Sequence, residues 1–498
     1  MNAQEMKPQI RKLAAALLVL YAVLFVQLNV LQVGKRDALD QHPLNNRQTI
    51  RDFNRRRGPI VTADGVVVAQ SVPAKGGDQY KYQRQYPLGD LFGNVTGYYT
   101  YSFGSTQAEK VQSDVLMGDT AAQKVDAVFG GADNTGSVQL TLRADVQKVA
   151  AEALGTREGS VVVTDPNTGA VIAMVSYPRY DPNLVADHDA TAAEAALSYY
   201  NNLPGKPLLA NAYQENYMPG SAFKVITTGI ALERGATTLD RAFPDEKEWL
   251  PPQTNDPIQN YGGKSCGGTF VEVFYRSCNI PFAQLAVEMG ADAMVQGTRA
   301  WGFGERLPFD LPRAASSNFE KANGDPIDFA QNQPLLAIGG FGQANDKMVP
   351  LHMCMVAATV ATGGRMMQPY VVGSTLAHSG KVLSRTEPKV WKTPISAATA
   401  ATLTTLMVGV VNKGTGKPMQ LANGIQAAAK TGTAQLNKTG EPQRSHAWIM
   451  GFAPAAAPRY AIAVVLKGTN DEISASTGGR LAGPIAKKVL DYLFSSEG

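Results

Sequence analysis

A chain of 498 residues exceeds what one compact core normally organises, so two or three domains are expected. Lys and Arg total 46 against 42 Asp and Glu, for a formal net charge of +4, and 44% of the residues are hydrophobic. That balance excludes a disordered chain and gives no basis for nucleic-acid binding.

The first element is an apolar run from Leu13 to Val26 that continues past Gln27 and Asn29 to Val33. A helix of about 20 apolar residues crosses about 30 Å of hydrocarbon, so residues 13–33 are expected to span a membrane. Lys7, Arg11 and Lys12 precede the run, which by the positive-inside rule keeps residues 1–12 cytoplasmic and sends the rest of the chain across. Gly34-Lys35-Arg36 follows without a small-x-small cleavage site, which favours an uncleaved anchor over a signal peptide. A second basic group, Arg51, Arg55, Arg56 and Arg57, reads as a solvated or lipid-facing surface.

Residues 34–136 are turn-rich, with short β-like runs such as Val66-Val67-Val68-Ala69, and suggest an elongated, mostly extended module without catalytic residues. From Ser137 the pattern becomes that of an α/β domain occupying residues 137–498. Val138 to Leu142 alternates like a strand, Arg143 to Leu154 has helical spacing, and Gly159 to Thr164 is a buried-strand run. Asp165-Pro166-Asn167-Thr168-Gly169 then supplies a tight turn into a partner strand, Ala170 to Ser176.

Three short stretches carry chemistry. Ser221-Ala222-Phe223-Lys224 follows Pro219-Gly220 and opens a helix, so a hydroxyl and an amine share one helical face. A serine at a helix N-terminus beside a partly buried lysine is suited to nucleophilic attack, with the amine as base. Ser277-Cys278-Asn279 offers a hydroxyl and an amide, and Lys430-Thr431-Gly432-Thr433 reads as a strand beside a pocket. Each string alone is ordinary: the first arises by composition, the second as a cap, the third as a turn. Their order in one chain is what points to an acyl-transfer site.

Among the three cysteines, Cys266 and Cys278 lie close in sequence and are read either as a bridge closing a short loop or as two buried thiols, while Cys354 reads as a small core residue. The five histidines, at positions 42, 188, 352, 378 and 446, form no metal-ligand spacing, so neither metal nor cofactor is expected, and His446 reads as core.

The serine-lysine, serine-asparagine and lysine-threonine-glycine triplet resembles that of the penicillin-binding transpeptidases. The box Arg57-Gly58-Pro59-Ile60 to Gly65, the stretches Asn94 to Tyr99 and Gly104-Ser105-Thr106, and the segment Tyr177 to Asn183 extend the likeness. So do Gly339 to Gln343, Val349-Pro350-Leu351, Gly363 to Tyr370, Gly414-Thr415-Gly416 and His446 to Pro454. With no glycosyltransferase domain ahead of residues 34–136, the chain is similar to the monofunctional class B members. The resemblance implies one N-terminal transmembrane helix, a β-rich pedestal and a β-lactamase/transpeptidase-like α/β (α+β) catalytic domain with an antiparallel sheet and helices. It implies a membrane-anchored D,D-transpeptidase that cross-links peptidoglycan stem peptides, is inhibited by β-lactams and works with a polytopic SEDS-type glycosyltransferase. Ser221 would be the nucleophile, activated by Lys224; Ser277 would relay a proton, and Asn279 would hold the substrate amide. Lys430, Thr431, Gly432 and Thr433 would receive a carboxylate, and the N–H groups of Ser221 and Thr433 would form the oxyanion hole. The alternatives are a D,D-carboxypeptidase or β-lactamase-type hydrolase on the same fold, or a non-catalytic scaffold for a glycan polymerase.

Overall fold

The computed structural model describes residues 3–31, 47–130, 134–322, 325–343, 345–437 and 444–496. By contacts these divide into two units, one running through Arg56 and including Pro73–Tyr82, the other comprising Arg57–Val72 and the chain from Gln83 onward.

The first unit contains the helix Ala3–Asn29. Its Ile10–Asn29 stretch has a mean hydropathy of 1.8 and buries none of its surface, with Leu18 and Phe25 among the outward-facing side chains. A helix apolar all round and packed against nothing is built for hydrocarbon, and its length suits a single-pass membrane anchor. The last two residues of the expected span, 32 and 33, and the Gly34-Lys35-Arg36 segment lie outside the described residues. A short helix, Arg47–Phe53, follows, and the Phe53 ring packs on Tyr80 at 5.3 Å between centroids.

Two sheets organise the second unit. A five-stranded antiparallel sheet runs Ala428–Gln435, Ser445–Ala453, Tyr460–Leu466, Gly159–Thr164, Val171–Tyr177 across its width. Every residue of Gly159–Thr164 and of Tyr460–Leu466 is buried, which is why those strands read as unbroken apolar runs. The pleat distributes them. Val161, Val163, Ile462 and Val464 join Val146, Leu154, Val489 and Leu490 of the helices Ala144–Leu154 and Gly478–Ser495 in one core. Val162, Ala463 and Val465 join Leu351 and Cys354 of the helix Pro350–Ala361 in another. Cys354 is fully buried there, its sulfur 3.4 Å from Thr164 Oγ1, as a small core residue should be.

The second sheet ties distant parts of the sequence together. Ser137–Leu140 pairs in parallel with Ile60–Val61 and antiparallel with Val372–Leu376. The first of these partners lies in the Arg57-to-Gly65 box, whose Gly65 turns at φ 81°. Between residues 93 and 130 the chain folds mostly into short helices, Gly93–Thr96, Gln107–Val111, Ser113–Met117 and Ala121–Gly130, with one short antiparallel pair, Tyr99–Thr100 against Gly104–Ser105.

Arg57 departs from the expected exposed basic face. It is 2% exposed, and its Nε donates to Glu109 Oε2 at 2.6 Å while Arg84 Nε donates to Oε1 at 2.6 Å. Arg84 also donates to the carbonyls of Arg57 and Gly58. Burial alone would raise the Glu109 pKa, but the Arg84 and Arg57 charges outweigh it and hold the carboxyl below its ordinary value. Sequence adjacency to other arginines concealed this role, because the acid that neutralises Arg57 is far along the chain.

Glu109→Gln would strand two guanidinium groups in the interior, a loss of about 3–5 kcal/mol. We expect the apparent Tm of the purified protein to fall by several degrees on thermal denaturation, and an unchanged transition would remove the pair from the stabilising interactions.

Candidate active site

The nucleophile candidate sits on a turn held from three sides. Sequence spacing places Ser221 at a helix start; the structure instead puts it in a 3-10 turn, Gly220–Phe223, with the α-helix beginning at Lys224 and running to Glu233. The reason is local. Gly220 adopts φ 55°, which a helix cannot continue through, and its N–H donates to Gly342 O at 2.8 Å. A Cβ on Gly220 would approach Thr433 O to 2.5 Å, so only glycine lets the turn rest against the third-motif strand. Upstream, Tyr217 bridges Met348, and Trp448 Nε1 donates to Met218 O at 2.9 Å.

Lys224 is the centre of the cluster. Its Nζ lies 2.9 Å from Ser221 Oγ, 2.8 Å from Ser277 O, 2.9 Å from Asn279 Oδ1 and 3.4 Å from Ser277 Oγ. The side chain is wholly buried, with the rings of Phe282 and Phe341 within 6 Å of the amine at 5.3 and 5.9 Å. Desolvation and then the nearby Lys430 push its pKa well below the ordinary lysine value. A neutral amine has two N–H bonds and one lone pair. The Ser277 carbonyl and the Asn279 amide oxygen can only accept, so they take the two hydrogens, and the lone pair is left for the Ser221 hydroxyl proton.

Ser277 caps the helix Phe270–Arg276 in the left-handed conformation, φ 61° and ψ 40°, which turns its carbonyl and hydroxyl toward the lysines. The next residue is fixed covalently: Cys278 is disulfide-bonded to Cys266, with Cα atoms 5.6 Å apart, resolving the two readings of that pair. Asn279 is held by its own N–H donating to Asn260 Oδ1 at 2.7 Å and its Nδ2 donating to Gln259 O at 3.1 Å.

Lys430 projects from the edge strand Ala428–Gln435 and is also fully buried. Its Nζ donates to Ser277 Oγ at 2.7 Å and to Thr431 O at 3.0 Å. Burial lowers its pKa to about 7. Ser277 Oγ therefore stands between two amines, within reach of both.

The other residues of the third motif divide by the strand pleat. Gly432 shares the Lys430 face, where a Cβ would meet Pro219 O at 2.6 Å, so its first constraint is the packing of the nucleophile turn rather than room for a ligand. Thr431 and Thr433 occupy the opposite positions. Thr431 Oγ1 lies 2.6 Å from Thr415 Oγ1, and Thr433 Oγ1 accepts the Gly478 N–H at 3.3 Å. Thr415 was seen in sequence only as part of a Gly-Thr-Gly turn. The structure adds it to the site, and no spacing rule could have done so.

His446 stays outside this chemistry. Burial first, then Lys347 and Lys467, lower its pKa to about 3, and Nδ1 accepts the Gly468 N–H at 3.0 Å. Among the described residues no cluster of three metal-ligating side chains occurs.

Residues 159–491 match the family described as penicillin binding protein transpeptidase domain, and residues 57–138 match penicillin binding protein A dimerisation domain. The peptidoglycan D,D-transpeptidase PbpA of Mycolicibacterium smegmatis is 36% identical, with 97% of this chain and 98% of that one aligned. PbpA of Mycobacterium tuberculosis is 34% identical over 99% of this chain and 100% of its own length. Solved structures of penicillin-binding protein A from M. tuberculosis superpose closely: its ceftriaxone acyl-enzyme complex at TM-score 0.81 and 32% identity, covering 89% of this chain and 99% of that one. The penicillin G acyl-enzyme complex gives 0.79 and 33%, covering 88% and 100%.

Cys278→Ser would open a loop whose cysteines are 12 apart in sequence, a change of about 3 kcal/mol in the loop-closure account. The expected result is a clear fall in the midpoint of denaturant unfolding, equalled by thiol reduction of the parent. A midpoint indifferent to both would show that Asn260 and the helix cap hold the second motif without the bridge.

Proposed function

The chain belongs to the penicillin-binding protein transpeptidases, as a peptidoglycan D,D-transpeptidase, and from that premise we propose that Ser221 is its acylating serine and Lys224 the general base. The observation that carries this reading is the buried Lys224 amine, 2.9 Å from Ser221 Oγ and at 2.8 and 2.9 Å from two oxygens that can only accept, Ser277 O and Asn279 Oδ1.

In the first step Ser221 Oγ bonds to the carbonyl carbon of the penultimate D-Ala of a stem peptide and gives its proton to Lys224. The carbonyl oxygen takes the negative charge at the N–H groups of Ser221 and Thr433. As the C–N bond breaks, Lys224 returns the proton through Ser277 Oγ to the departing amine, and D-Ala leaves. In the second step an amine of a neighbouring stem peptide attacks the ester, loses its proton by the same relay in reverse, and displaces Ser221 as the new amide forms. The scheme is ping-pong, with a covalent intermediate.

Lys430 keeps Ser277 oriented and supplies positive potential, while Thr431, Thr433 and Thr415 present hydroxyls for the terminal carboxylate. Asn279 Nδ2 and the strand backbone hold the peptide, and Gly432 keeps the strand close to the nucleophile turn. A β-lactam, carrying an amide and a carboxylate in the same relation, would acylate Ser221 and stall.

Residues 13–33 anchor the chain, with residues 1–12 cytoplasmic and everything beyond extracytoplasmic, as the flanking Lys7, Arg11 and Lys12 favour. Residues 34–136 form the pedestal and residues 137–498 the catalytic domain. A polytopic SEDS-type glycosyltransferase would supply nascent glycan, engaging the anchor and pedestal.

Incubation of the purified full chain with benzylpenicillin should add one penicilloyl mass that persists, and Ser221→Ala should show none by intact-mass analysis. Lys224→Ala should slow acylation by about 10²–10⁴-fold, the usual range for a general base. Rapid loss of adduct with drug turnover would make the protein a hydrolase; adduct on Ser221→Ala would move the nucleophile elsewhere.

The two lysine pKa values set the pH profile. Lys224 acts as base only when neutral, so the second-order acylation rate rises with pH through its depressed pKa. Lys430 loses its charge as pH passes about 7, weakening attraction for the drug carboxylate, so the rate falls on the alkaline side. A stopped-flow rate still climbing between pH 7 and 9 would end the assignment of that limb to Lys430.

A further inference from the structure

Away from Ser221, a cavity of about 580 Å³ opens between the segment Tyr98–Lys110, the stretch around Tyr200 to Gln214, and Pro312-Arg313. None of the active-site side chains lines it, and none of its lining residues is Asp or Glu. Three of them are cations, Lys110, Lys206 and Arg313, each exposed and each without a carboxylate partner among the described residues. Such convergence of unpaired positive charge on one concavity is not what ordinary surface pairing produces.

The backbone is specialised at the same place. Of the non-glycine residues with positive φ, Gln107 at 46°, Lys206 at 49° and Arg313 at 61° all line this cavity, and they come from three separate segments. Left-handed backbone is uncommon for such side chains, and its clustering marks sites where position has been favoured over relaxation.

An aromatic wall faces the cations. Tyr180 and Tyr200 form its buried back, packed edge to face at 5.7 Å, and their hydroxyls are used by the protein: Tyr180 Oη donates to Gly93 O, and Tyr200 Oη accepts the Asp181 N–H. Tyr98 packs edge to face on Tyr180 at 6.4 Å and, with the exposed Phe103, presents ring surface to the cavity. Aromatic faces stack against the C–H faces of sugar rings, and Ser105 and Asn201 are on hand for sugar hydroxyls.

We propose that this cavity is a docking site for an acidic saccharide: a stretch of glycan strand whose muramyl residues have lost their stem peptides, so that the freed lactyl carboxylates meet Lys110, Lys206 and Arg313 while the rings lie on Tyr98 and Phe103. The substrate class rests on the transpeptidase reading; the requirement for negative charge rests on the cavity itself. Engagement of such a stripped stretch would tether a strand to the enzyme while stem peptides on other muramyl residues of the same strand are presented to Ser221. Because the three cations are solvent-exposed, the contact is sensitive to salt.

The test uses the full chain in phosphatidylcholine nanodiscs and three probes: glycan strands stripped of peptide by an amidase, which carry free lactyl carboxylates; chitotetraose, which is neutral; and poly-L-glutamate. By calorimetry the stripped strands should bind, chitotetraose should bind at least about tenfold more weakly, and Lys206→Ala with Arg313→Ala should cost the strands about tenfold or more. The double variant should be acylated by benzylpenicillin as fast as the parent, which certifies its fold. Strand binding unchanged in the variant, or no strand binding, overturns the proposal; poly-L-glutamate bound as tightly as the strands overturns it in favour of an acidic protein partner. A parent that binds strands in this variant-sensitive way but forms no penicilloyl adduct would refute the Ser221 reading and leave the docking site standing.

Discussion

A lysine amine with no water around it governs the architecture of this site. Lys224 is completely buried, and a charged ammonium there would carry a heavy desolvation cost. The cost is lowered by giving up the proton, and Lys430 nearby presses in the same direction. In its neutral form, which burial favours, the amine still has two hydrogens to satisfy, and Ser277 with its carbonyl turned inward and Asn279 with its amide oxygen stand where they can take them. The left-handed backbone at Ser277, the covalent tether at Cys278 and the Asn260 bond to the Asn279 N–H all serve that single geometric demand. The Ser221 hydroxyl, 2.9 Å from the same amine, is then left facing the lone pair of its neutral form.

The sheet determines whether those demands can be met together. Ala428–Gln435 is an edge strand, and its eight-residue register with Ser445–Ala453 fixes Lys430 opposite Met450 and Gly432 opposite Trp448. Trp448 in turn holds the Met218 carbonyl, one residue before the Pro219 oxygen that leaves no room for a Cβ at Gly432. Strand, nucleophile turn and the Gly339-to-Met348 segment are thereby indexed to one another by backbone contacts. In the amide orientation that satisfies both partners, Gln343 also pairs with the N–H and C=O of Gln435 at 3.2 Å each, extending this fit along the same strand. A side chain inserted at Gly220 or Gly432 would displace the serine relative to both lysines, and displacements of that kind are costly in reactions that depend on orientation.

Much of this was legible in the sequence, for identifiable reasons. The hairpin Gly159–Thr164 and Val171–Tyr177 announced itself because its strands are buried on both faces and its turn carries Asp, Pro, Asn and Gly. Ser221 and Lys224 could be paired because they are three residues apart, a separation that brings them together in a 3-10 turn as in an α-helix. What stayed hidden depends on tertiary neighbours. Thr415 reaches Thr431 only because two segments meet in space, and Arg57 is neutralised by Glu109 across a gap of 52 residues. The three cations of the cavity lie far apart in sequence, Lys110 in the helix Gln107–Val111 and Lys206 and Arg313 at left-handed positions of separate segments, so no local pattern announces their convergence.

On the proposed mechanism, the acyl-enzyme waits for an amine because of how the lysines are surrounded. Hydrolysis of the ester requires a base that can deprotonate water at the carbonyl. Among the described residues no carboxylate is hydrogen-bonded to Ser221, Lys224, Ser277 or Lys430; the amines contact only hydroxyl, carbonyl and amide oxygens. When neutral, Lys224 has acceptors for both hydrogens in Ser277 O and Asn279 Oδ1 and offers a single lone pair, and whatever uses it must be positioned by its own remaining bulk. A stem-peptide amine brings such binding with it and is a stronger nucleophile than water once neutral. Water has only its hydrogen bonds to orient it, against a wall built of Phe282, Phe341 and Phe274 rings around the lysines. On the proposed mechanism, the discrimination between transfer and hydrolysis follows from the same feature that would activate Ser221: a dry amine that assists only a nucleophile the rest of the surface has already placed.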